Sequence, residues 1–426
     1  MAGGLMQLVA YGAQDVYLTG NPKVTFFQAV YKRHTNFAME NIEQTVNGTA
    51  ANSGRVSVTI ARNGDLIGDM YVELAVKAST IAEITNGAKL DGSAGTEDNC
   101  WVAERAIKDV ELSIGGQRID KHYQRWWRLY AELFLDEAKK AAYGKMTTGP
   151  RSGTVYLPLI FFFNRNPGLA LPLIALQYHE IRLDFDLSSE YDSYVQTGTF
   201  KVWGNYIYLD TEERRRFAQK SHEYLIEQVQ HTGVDSVTSA ATKQVRLSYN
   251  HPVKELVWCF DKGSVSHSNL WNFTSLNTGR MTSNLKTLAL SNVVTSGSFS
   301  GAPVLIGGAG EPSLVEDIAT VGALSTFKLV LNGQDRFKEQ KGKYFNQVQP
   351  FQHHSGSPMP GVYSYSFALK PEEHQPTGTC NFSRIDNAQV AVTMNTTGNT
   401  SMNMFAVNYN VLRFQSGMGG LAFSNW

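Results

Sequence analysis

Short runs of alternating apolar and polar residues recur along this 426-residue chain. An alternation of period two places one face of a β-strand on a core and the other toward solvent. The clearest runs are 56–60, 110–114, 181–187 and 390–394, and shorter or less regular versions are 70–76, 202–209 and 327–331. Turn-forming pairs lie between such runs, at Asn47-Gly48, Asn63-Gly64, Gly115-Gly116 and Asn332-Gly333. The pattern predicts an all-β chain built as antiparallel sandwiches or barrels.

One segment has helical periodicity instead. From about Lys121 to Ala142, apolar residues recur at intervals of three and four, beginning with Trp126 and Trp127. Asp120 is suited to cap the N-terminus of this helix. A stripe of this kind is typical of a packing face, so the sequence predicts one helical insertion in the first half of the chain.

The two halves of the chain resemble each other. Three segments recur in the same order: 111–118 with 328–335, 155–161 with 362–368, and 205–209 with 408–412. The ordered set predicts two copies of one all-β domain, and no short solenoid-like period is present. The charged stretch 211–222 is predicted to link the copies, or to offer a polar contact to a neighbouring subunit. The predicted parts are an N-terminal arm (1–24), a first domain (25–210), this linker and a second domain (223–426).

Composition narrows the possible functions. Lys plus Arg and Asp plus Glu number 38 each, which argues against a nucleic-acid binder that depends on a basic excess. Cys100, Cys259 and Cys380 are far apart, so the sequence predicts reduced thiols and neither a disulfide framework nor a zinc site. The most apolar runs are shorter than the ~20 residues of a membrane span. The first residues do not have the basic region of a secretory signal, so we expect synthesis in the cytoplasm.

Few residues are arranged as in an enzyme. Asp184 and Asp186 share one strand face with Arg182, which fits a glycosidase-like carboxylate pair or, more simply, a solvent-facing strand. His353-His354 has no ligand-type residue at metal-site spacing. The segment Gly417–Gly420 has neither the Lys-Ser/Thr of a phosphate loop nor a following helix. We expect no catalytic residue, no cofactor and no metal.

Five Asn-x-Ser/Thr triplets occur, and two of them are Asn47 and Asn381. The other three lie in polar, loop-like segments of the second half, which makes them candidates for glycosylation on exposed loops: Asn272, Asn395 and Asn399. The segment 262–324, rich in Ser, Gly, Asn and Thr, is predicted to be the longest surface loop.

Several blocks of sequence resemble the major capsid proteins of large icosahedral double-stranded DNA viruses of algae. The opening Gly-Gly-Leu-Met-Gln-Leu-Val-Ala-Tyr-Gly-Ala-Gln-Asp-Val-Tyr-Leu-Thr-Gly-Asn-Pro22 and its continuation Val24–Phe37 are similar to the start of those proteins. Further similar blocks span both halves: 114–122, 158–164, 167–180, 331–337, 378–387, 408–413 and 416–422. The resemblance is weakest at 78–106, 136–155 and 262–324.

This resemblance implies two tandem eight-stranded antiparallel jelly rolls, in a subunit that trimerises into pseudo-hexagonal capsomers of an icosahedral shell. It also implies minor capsid and penton proteins as partners, surface glycans, and an inner viral membrane nearby but not spanned. Direct contact with nucleic acid is not expected. Two alternatives remain open at this point: a double-jelly-roll protein that binds or processes glycans, and a minor or penton capsid component.

The N-terminal arm has an unusual composition. Glycines at positions 3, 4, 12 and 20 deny it a long strand or helix, yet Leu5, Leu8 and Tyr17 are among many side chains too apolar for a solvated tail. We expect the arm to be buried beneath its own trimer or against a partner below the shell.

Overall fold

In a computed structural model of the chain, the described residues are 3–23, 25–27, 29–77, 101–147, 153–237, 241–262, 271, 273, 322–395 and 399–423. The chain divides into two compact units, Met1–Phe37 and Ala38–Trp426. The first unit contains two short helices, α1 (Gly3–Val9) and α2 (Val16–Thr19), neither of which buries a residue. Among the described residues, no helix is both long and apolar enough to cross a membrane.

The first half of the chain forms a sandwich of two sheets. Its strands are β1 (Phe37–Gln44), β2 (Val46–Asn47), β3 (Arg55–Thr59), β4 (Leu66–Ala75), β5 (Ile107–Ile114), β6 (Gln117–Tyr123), β7 (Thr154–Pro158), β8 (Leu171–Pro172), β9 (Ile181–Leu187) and β10 (Lys201–Leu209). One sheet has the order β1-β10-β4-β7, with β8 beside β4, and the other has the order β2-β3-β9-β5-β6. Helices of this half are α3 (Val102–Ala106), α4 (Gln124–Leu133), α5 (Glu137–Thr147), α6 (Phe162–Arg165) and α7 (Tyr191–Tyr194), with 3-10 turns at Pro167–Leu169 and Leu173–Ala175.

The second half repeats the arrangement after helix α8 (Thr211–Gln219). Its strands are β11 (His222–Ser236), β12 (Lys243–Leu247), β13 (Pro252–Lys262), β14 (Leu324–Leu331), β15 (Gln334–Asp335), β16 (Gln340–Lys341), β17 (Val362–Ser366), β18 (Cys380–Asn381), β19 (Ala388–Met394), β20 (Asn399–Gln415) and β21 (Met418–Leu421). A π-helical turn at Tyr344–Val348 leads into α9 (Gln349–His353), and Phe382–Arg384 is a 3-10 turn. The sheets have the orders β11-β20-β13-β17 and β12-β19-β14-β15.

The two sandwiches share one topology. The order β1-β10-β4-β7 corresponds strand by strand to β11-β20-β13-β17, and β3-β9-β5-β6 corresponds to β12-β19-β14-β15. The three repeated sequence segments fall on equivalent places: the hairpins β5–β6 and β14–β15, the strands β7 and β17, and the strands β10 and β20. The two hairpin turns, Gly115-Gly116 and Asn332-Gly333, have positive φ at both positions, which only such residues adopt readily. The predicted all-β fold of two tandem jelly rolls is therefore confirmed.

The predicted helix is shorter than expected, and Asp120 does not cap it. Lys121–Tyr123 belong to β6, whose pairing with β5 keeps them extended, so α4 begins at Gln124. The helical stretch is interrupted between Leu133 and Glu137. The Asp120 carboxylate instead accepts a hydrogen bond from the Val229 backbone N–H of the second sandwich at 3.1 Å. Trp126 and Trp127 are buried, as a packing face requires.

The segment between the sandwiches is helical. Helix α8 occupies most of the predicted linker 211–222, and none of its residues is buried. Asp210 caps it by accepting a hydrogen bond from the Thr211 N–H, and Arg214 forms an ion pair with Asp65 at 2.8 Å. Of the predicted long loop 262–324, only Lys262, Trp271, Phe273 and residues 322–324 are described, and Cys100 lies outside the described residues.

Apolar packing joins the two sandwiches. Alternate residues of β13 point to opposite sides: Leu256, Trp258 and Phe260 pack into the core of the second sandwich. Val257 and Cys259 pack with the apolar residues of the first. The sheet that contains β13 is therefore covered on both faces, which fixes one sandwich against the other inside the unit Ala38–Trp426.

Candidate assembly surfaces

The carboxylates that could have formed a glycosidase-like pair are held by neighbouring cations on one face of a sheet, where Asp184 is buried and Asp186 is half-buried. Asp184 accepts hydrogen bonds from Ser57 Oγ at 2.6 Å and Arg182 Nε at 2.8 Å. Arg55 lies 3.5 Å from Asp184 and 3.7 Å from Asp186. The partners of these carboxylates are neighbours on the same sheet, and Trp126 and Trp127 of α4 are buried. Within the described residues, these contacts are those of charge pairing on a sheet.

The two adjacent histidines have separate roles. His353 Nδ1 donates to the Leu369 carbonyl oxygen at 3.0 Å. The buried ring of His354 bridges two carboxylates, through Nε2 to Glu255 and through Nδ1 to Glu372 at 3.2 Å. Burial alone would lower the pKa of His354, but the two carboxylates outweigh it and raise the pKa to about 9. No sequence pattern indicated this bridge, because Glu255, His354 and Glu372 are far apart along the chain.

A second ionic cluster lies where the two sandwiches meet. Arg165, at the end of α6, lies 2.9 Å from the Glu227 carboxylate of β11, and Lys254 of β13 lies 2.5 Å from its other oxygen. Burial would raise the pKa of Glu227, but the two cations lower it below its ordinary value. A cavity of about 230 Å³ borders this cluster, with Glu372 and His374 also in its wall. The cluster ties the two domains together through buried charges, which are costly to break singly.

The helical insertion supplies further contacts between the sandwiches. Glu132 of α4 accepts a hydrogen bond from the Met359 N–H at 3.1 Å, and Lys140 of α5 donates to the Ser357 carbonyl oxygen at 2.8 Å. Phe134 packs edge-on against the ring of His354, with 5.0 Å between the ring centroids. The insertion is therefore part of the junction between the domains.

The glycine-rich segment near the C-terminus closes the junction at another point. Tyr178 N–H donates to the Gly417 carbonyl oxygen at 3.0 Å, and Leu421 N–H donates to Gln117 Oε1 at 3.1 Å. A Cβ atom on Gly419 would lie 2.7 Å from the Leu176 side chain. The hairpin β20–β21 thus packs closely on the first sandwich because glycines occupy these positions.

Metal-ligand chemistry has no candidate in the described part of the chain. No three side chains of His, Cys, Asp or Glu converge there as a ligand set. Cys259 and Cys380 are free, and burial raises the pKa of the Cys259 thiol well above its ordinary value.

The candidate glycosylation residues lie in different settings. Asn395 follows β19, and its partly buried backbone N–H donates to the Ala323 carbonyl oxygen at 2.8 Å. Asn399 is the first residue of β20, and Asn272 lies outside the described residues. Asn47 and Asn381, which the sequence analysis set aside, are exposed.

Large apolar side chains are concentrated on the surface of the first compact unit. Phe26 is 92% exposed, Phe27 is 99% exposed and Tyr31 is 89% exposed. Leu5, Met6, Leu8, Val9, Tyr11, Val16, Tyr17, Leu18 and Val30 are also exposed. A concentration of exposed apolar side chains is typical of a protein-contact or membrane-contact site.

Comparisons with known proteins agree with this architecture. A family model described as "Large eukaryotic DNA virus major capsid protein" matches residues 213–420, and one described as "Major capsid protein N-terminus" matches residues 25–213. The chain is 46% identical to the major capsid protein of Paramecium bursaria Chlorella virus 1 and 42% identical to that of Phaeocystis pouchetii virus, over the full length of all three sequences.

Solved structures give the same result. The crystal structure of PBCV-1 VP54 has a TM-score of 0.76 and 41% identity, covering 94% of this chain and all of that one. The Faustovirus major capsid protein has a TM-score of 0.68 at 13% identity, covering 97% of this chain and 96% of that one, and shares the fold. Two jelly rolls of one topology and full-length similarity to these proteins lead to one conclusion: the chain belongs to the major capsid proteins of large eukaryotic DNA viruses.

Proposed function

We propose that the chain is a structural subunit that forms homotrimers, and that these trimers are pseudo-hexagonal capsomers of an icosahedral virion shell. The observation that carries the proposal is the duplication of one jelly roll within a single chain. Three chains with two similar domains each place six similar domains around a three-fold axis, which suits a hexagonal lattice.

The junction between the domains supports this role. A tiling subunit must keep its two domains at one angle, or the outline of the capsomer would vary. Shared apolar packing through β13, the Arg165–Glu227–Lys254 cluster and the β20–β21 hairpin all resist rotation at the junction. A formal charge of zero also suits a protein packed against many copies of itself.

In this proposal the chain has a structural role without enzymatic activity, and it has several partners. We expect minor capsid and penton proteins to contact the capsomer, glycans to modify its outer loops, and synthesis to occur in the host cytoplasm. These expectations rest on the family to which the chain belongs. The contacts described above, which are packing and charge pairing, support a structural role.

Electron microscopy of the purified full chain tests the proposal. Particles with three-fold symmetry and a near-hexagonal outline are expected. A uniform population of single, two-lobed particles at the same concentration would contradict it.

A further inference from the structure

Two equivalent sheets of the chain differ in what covers their outer faces. The first sandwich covers the outer face of β11-β20-β13-β17, where Val257 and Cys259 of β13 pack with apolar residues of that sandwich. The equivalent sheet of the first sandwich is β1-β10-β4-β7, and Trp203, Tyr71 and Tyr156 on its outer face are partly exposed in the single chain. The duplication therefore predicts that a sandwich of another copy covers this second face.

The partly exposed face is aromatic and acidic. Strand register aligns its outward side chains in the rows Trp203–Tyr71–Pro158 and Lys201–Glu73–Tyr156. The strands β1, β4, β7 and β10 together contain four acidic residues and one cation, Lys201, which lies 3.9 Å from Glu43. Asp69 is exposed on the same face. A surface of this kind favours a partner that is apolar and basic.

Inside one chain, two segments of the first sandwich contact the second. One is the helical stretch after β6: Phe134, which directly follows α4, packs edge-on against the ring of His354 with 5.0 Å between the ring centroids. The other is the stretch after β7, where Arg165 of α6 lies 2.9 Å from the Glu227 carboxylate. The equivalent segments of the second sandwich follow β15–β16 and β17.

The counterpart of Phe134 in the second sandwich is exposed. From Phe134 to Phe351 the offset is 217 residues, the same as from Gln117 to Gln334 in the equivalent hairpins β5–β6 and β14–β15. Both phenylalanines lie in the helical stretch that follows the hairpin. Phe134 is partly buried, whereas Phe351 on α9 is 88% exposed. The position that contacts the other sandwich inside the chain is thus uncovered in the second copy of the domain.

A second apolar side chain is exposed beside α9. Leu369 is the third residue after β17, the position that the buried Phe161 has after the equivalent strand β7. Leu369 is 73% exposed, and its carbonyl oxygen accepts a hydrogen bond from His353 of α9 at 3.0 Å. Val348, Phe351 and Leu369, all exposed, are called the α9 patch below.

The charge next to the α9 patch is opposite to that of the β1-β10-β4-β7 face. The segment 336–343, which leads into the π-helical turn before α9, contains four cations and one acid, so it carries +3. Its four cations are exposed, and they are Arg336, Lys338, Lys341 and Lys343. An apolar patch with a basic border fits the aromatic and acidic face.

We propose that the α9 patch of one copy packs on the outer face of the β1-β10-β4-β7 sheet of the next copy. The patch meets Trp203 and the tyrosines of that face, and the cations of 336–343 pair with Glu43 and Asp69. Because patch and face are different surfaces, the contact is heterologous, and three such contacts close a ring in which they alternate with the three junctions inside the chains. The inference rests on the proposed trimer and assigns the two surfaces that join its copies.

Two double variants of the full chain test the contact, one on each surface. The patch variant carries Phe351→Asp and Leu369→Asp, and the face variant carries Glu43→Lys and Asp69→Lys. All four side chains are exposed in the single chain, so both variants should fold, which thermal unfolding verifies. Each variant should weaken self-association by at least about tenfold in analytical ultracentrifugation, because charge replaces an apolar contact or like charges meet.

Mixing the two variants tests whether patch and face bind each other. In an equal mixture, the intact patch of the face variant can bind the intact face of the patch variant, but the ring cannot close. We expect a species of about 94 kDa, twice the 47.2 kDa of one chain, that neither variant forms alone. Weakened association in both variants without this species in the mixture overturns the proposal.

The control adds the same charge to exposed apolar side chains elsewhere. Met418→Asp with Phe423→Asp alters residues that are 49% and 60% exposed, outside both surfaces, and should leave association unchanged. Equal loss in this control overturns the proposal. Unchanged association in both double variants also overturns it and leaves the α9 patch to a different protein, whereas the proposed trimer stands. A wild-type chain that is monomeric at every concentration overturns the proposed function as well.

Discussion

Replacing His354 tests whether a buried imidazolium holds the second sandwich together at its junction with the first. The ring bridges Glu255 and Glu372, and the pKa of His354 rises to about 9 from an ordinary value of about 6.5. That difference corresponds to ~3 kcal/mol of folding free energy. We expect His354→Gln to lower the free energy of unfolding by ~3 kcal/mol at pH 6, since the variant leaves the buried Glu255 carboxylate without its cation.

The effect should depend on pH in one direction. The folded state has the higher pKa, so the stabilisation is complete below about pH 6.5, decreases by ~1.4 kcal/mol per pH unit above it, and is lost as the pH rises through about 9. Urea unfolding followed by circular dichroism, at pH 6, 7.5 and 9.5, measures the difference between wild type and His354→Gln. The two proteins should differ most at pH 6 and converge by pH 9.5.

The neighbouring histidine is the matched control. His353→Gln removes an imidazole whose hydrogen-bond partner among the described residues is the Leu369 backbone carbonyl, so it should change stability by less than ~1 kcal/mol. A wild-type advantage over His354→Gln that stays constant from pH 6 to 9.5 would refute the reasoning, because packing alone would then explain it.

Three further predictions concern the junction, the arm and the surface. Gly417→Ala should destabilise the chain more than Gly333→Ala in thermal unfolding. Both glycines have φ near +80°, so the backbone strain is matched, but of the two only a Cβ on Gly417 would meet a side chain, the Tyr178 ring at 2.7 Å. Equal effects would contradict the role of the β20–β21 hairpin at the junction. Deleting residues 2–20 should leave both sandwiches folded by circular dichroism and weaken trimers or their docking to the inner shell; normal assembly of the truncated chain would make the arm dispensable. Peptide mapping of virion-derived protein should find glycans on loops of the second domain, and sugar confined to the first domain would contradict this. The asparagines to examine are Asn272, Asn395 and Asn399.

The sequence predicted strands best where one face is buried and the other is not. All seven alternating segments lie on strands, because the alternation records that difference directly. The strands β11 and β13 gave no such signal. Both faces of their sheet are covered, and buried polar residues such as Glu227, Lys254 and Glu255 interrupt the apolar run.

The start of helix α4 and the ionic clusters around His354 and Arg165 are determined by residues that are distant in the sequence. Asp120 looked like a helix cap, but pairing with β5 and the Val229 N–H of the other sandwich determine its place. The partners of His354 and Arg165 likewise come from other strands and loops. The repeated domains could be predicted because equivalent strands and hairpins of the two sandwiches have similar sequences in the same order. The contacts between the domains could not be predicted, because they exist only once the domains are packed together.

Static light scattering of the purified full chain at neutral pH, over a wide range of concentrations, tests the central claim most directly. The account predicts a mass of about 142 kDa, three times the 47.2 kDa of one chain. A mass that stays at 47.2 kDa across the whole range would contradict the assignment of this chain as a self-assembling trimeric capsomer.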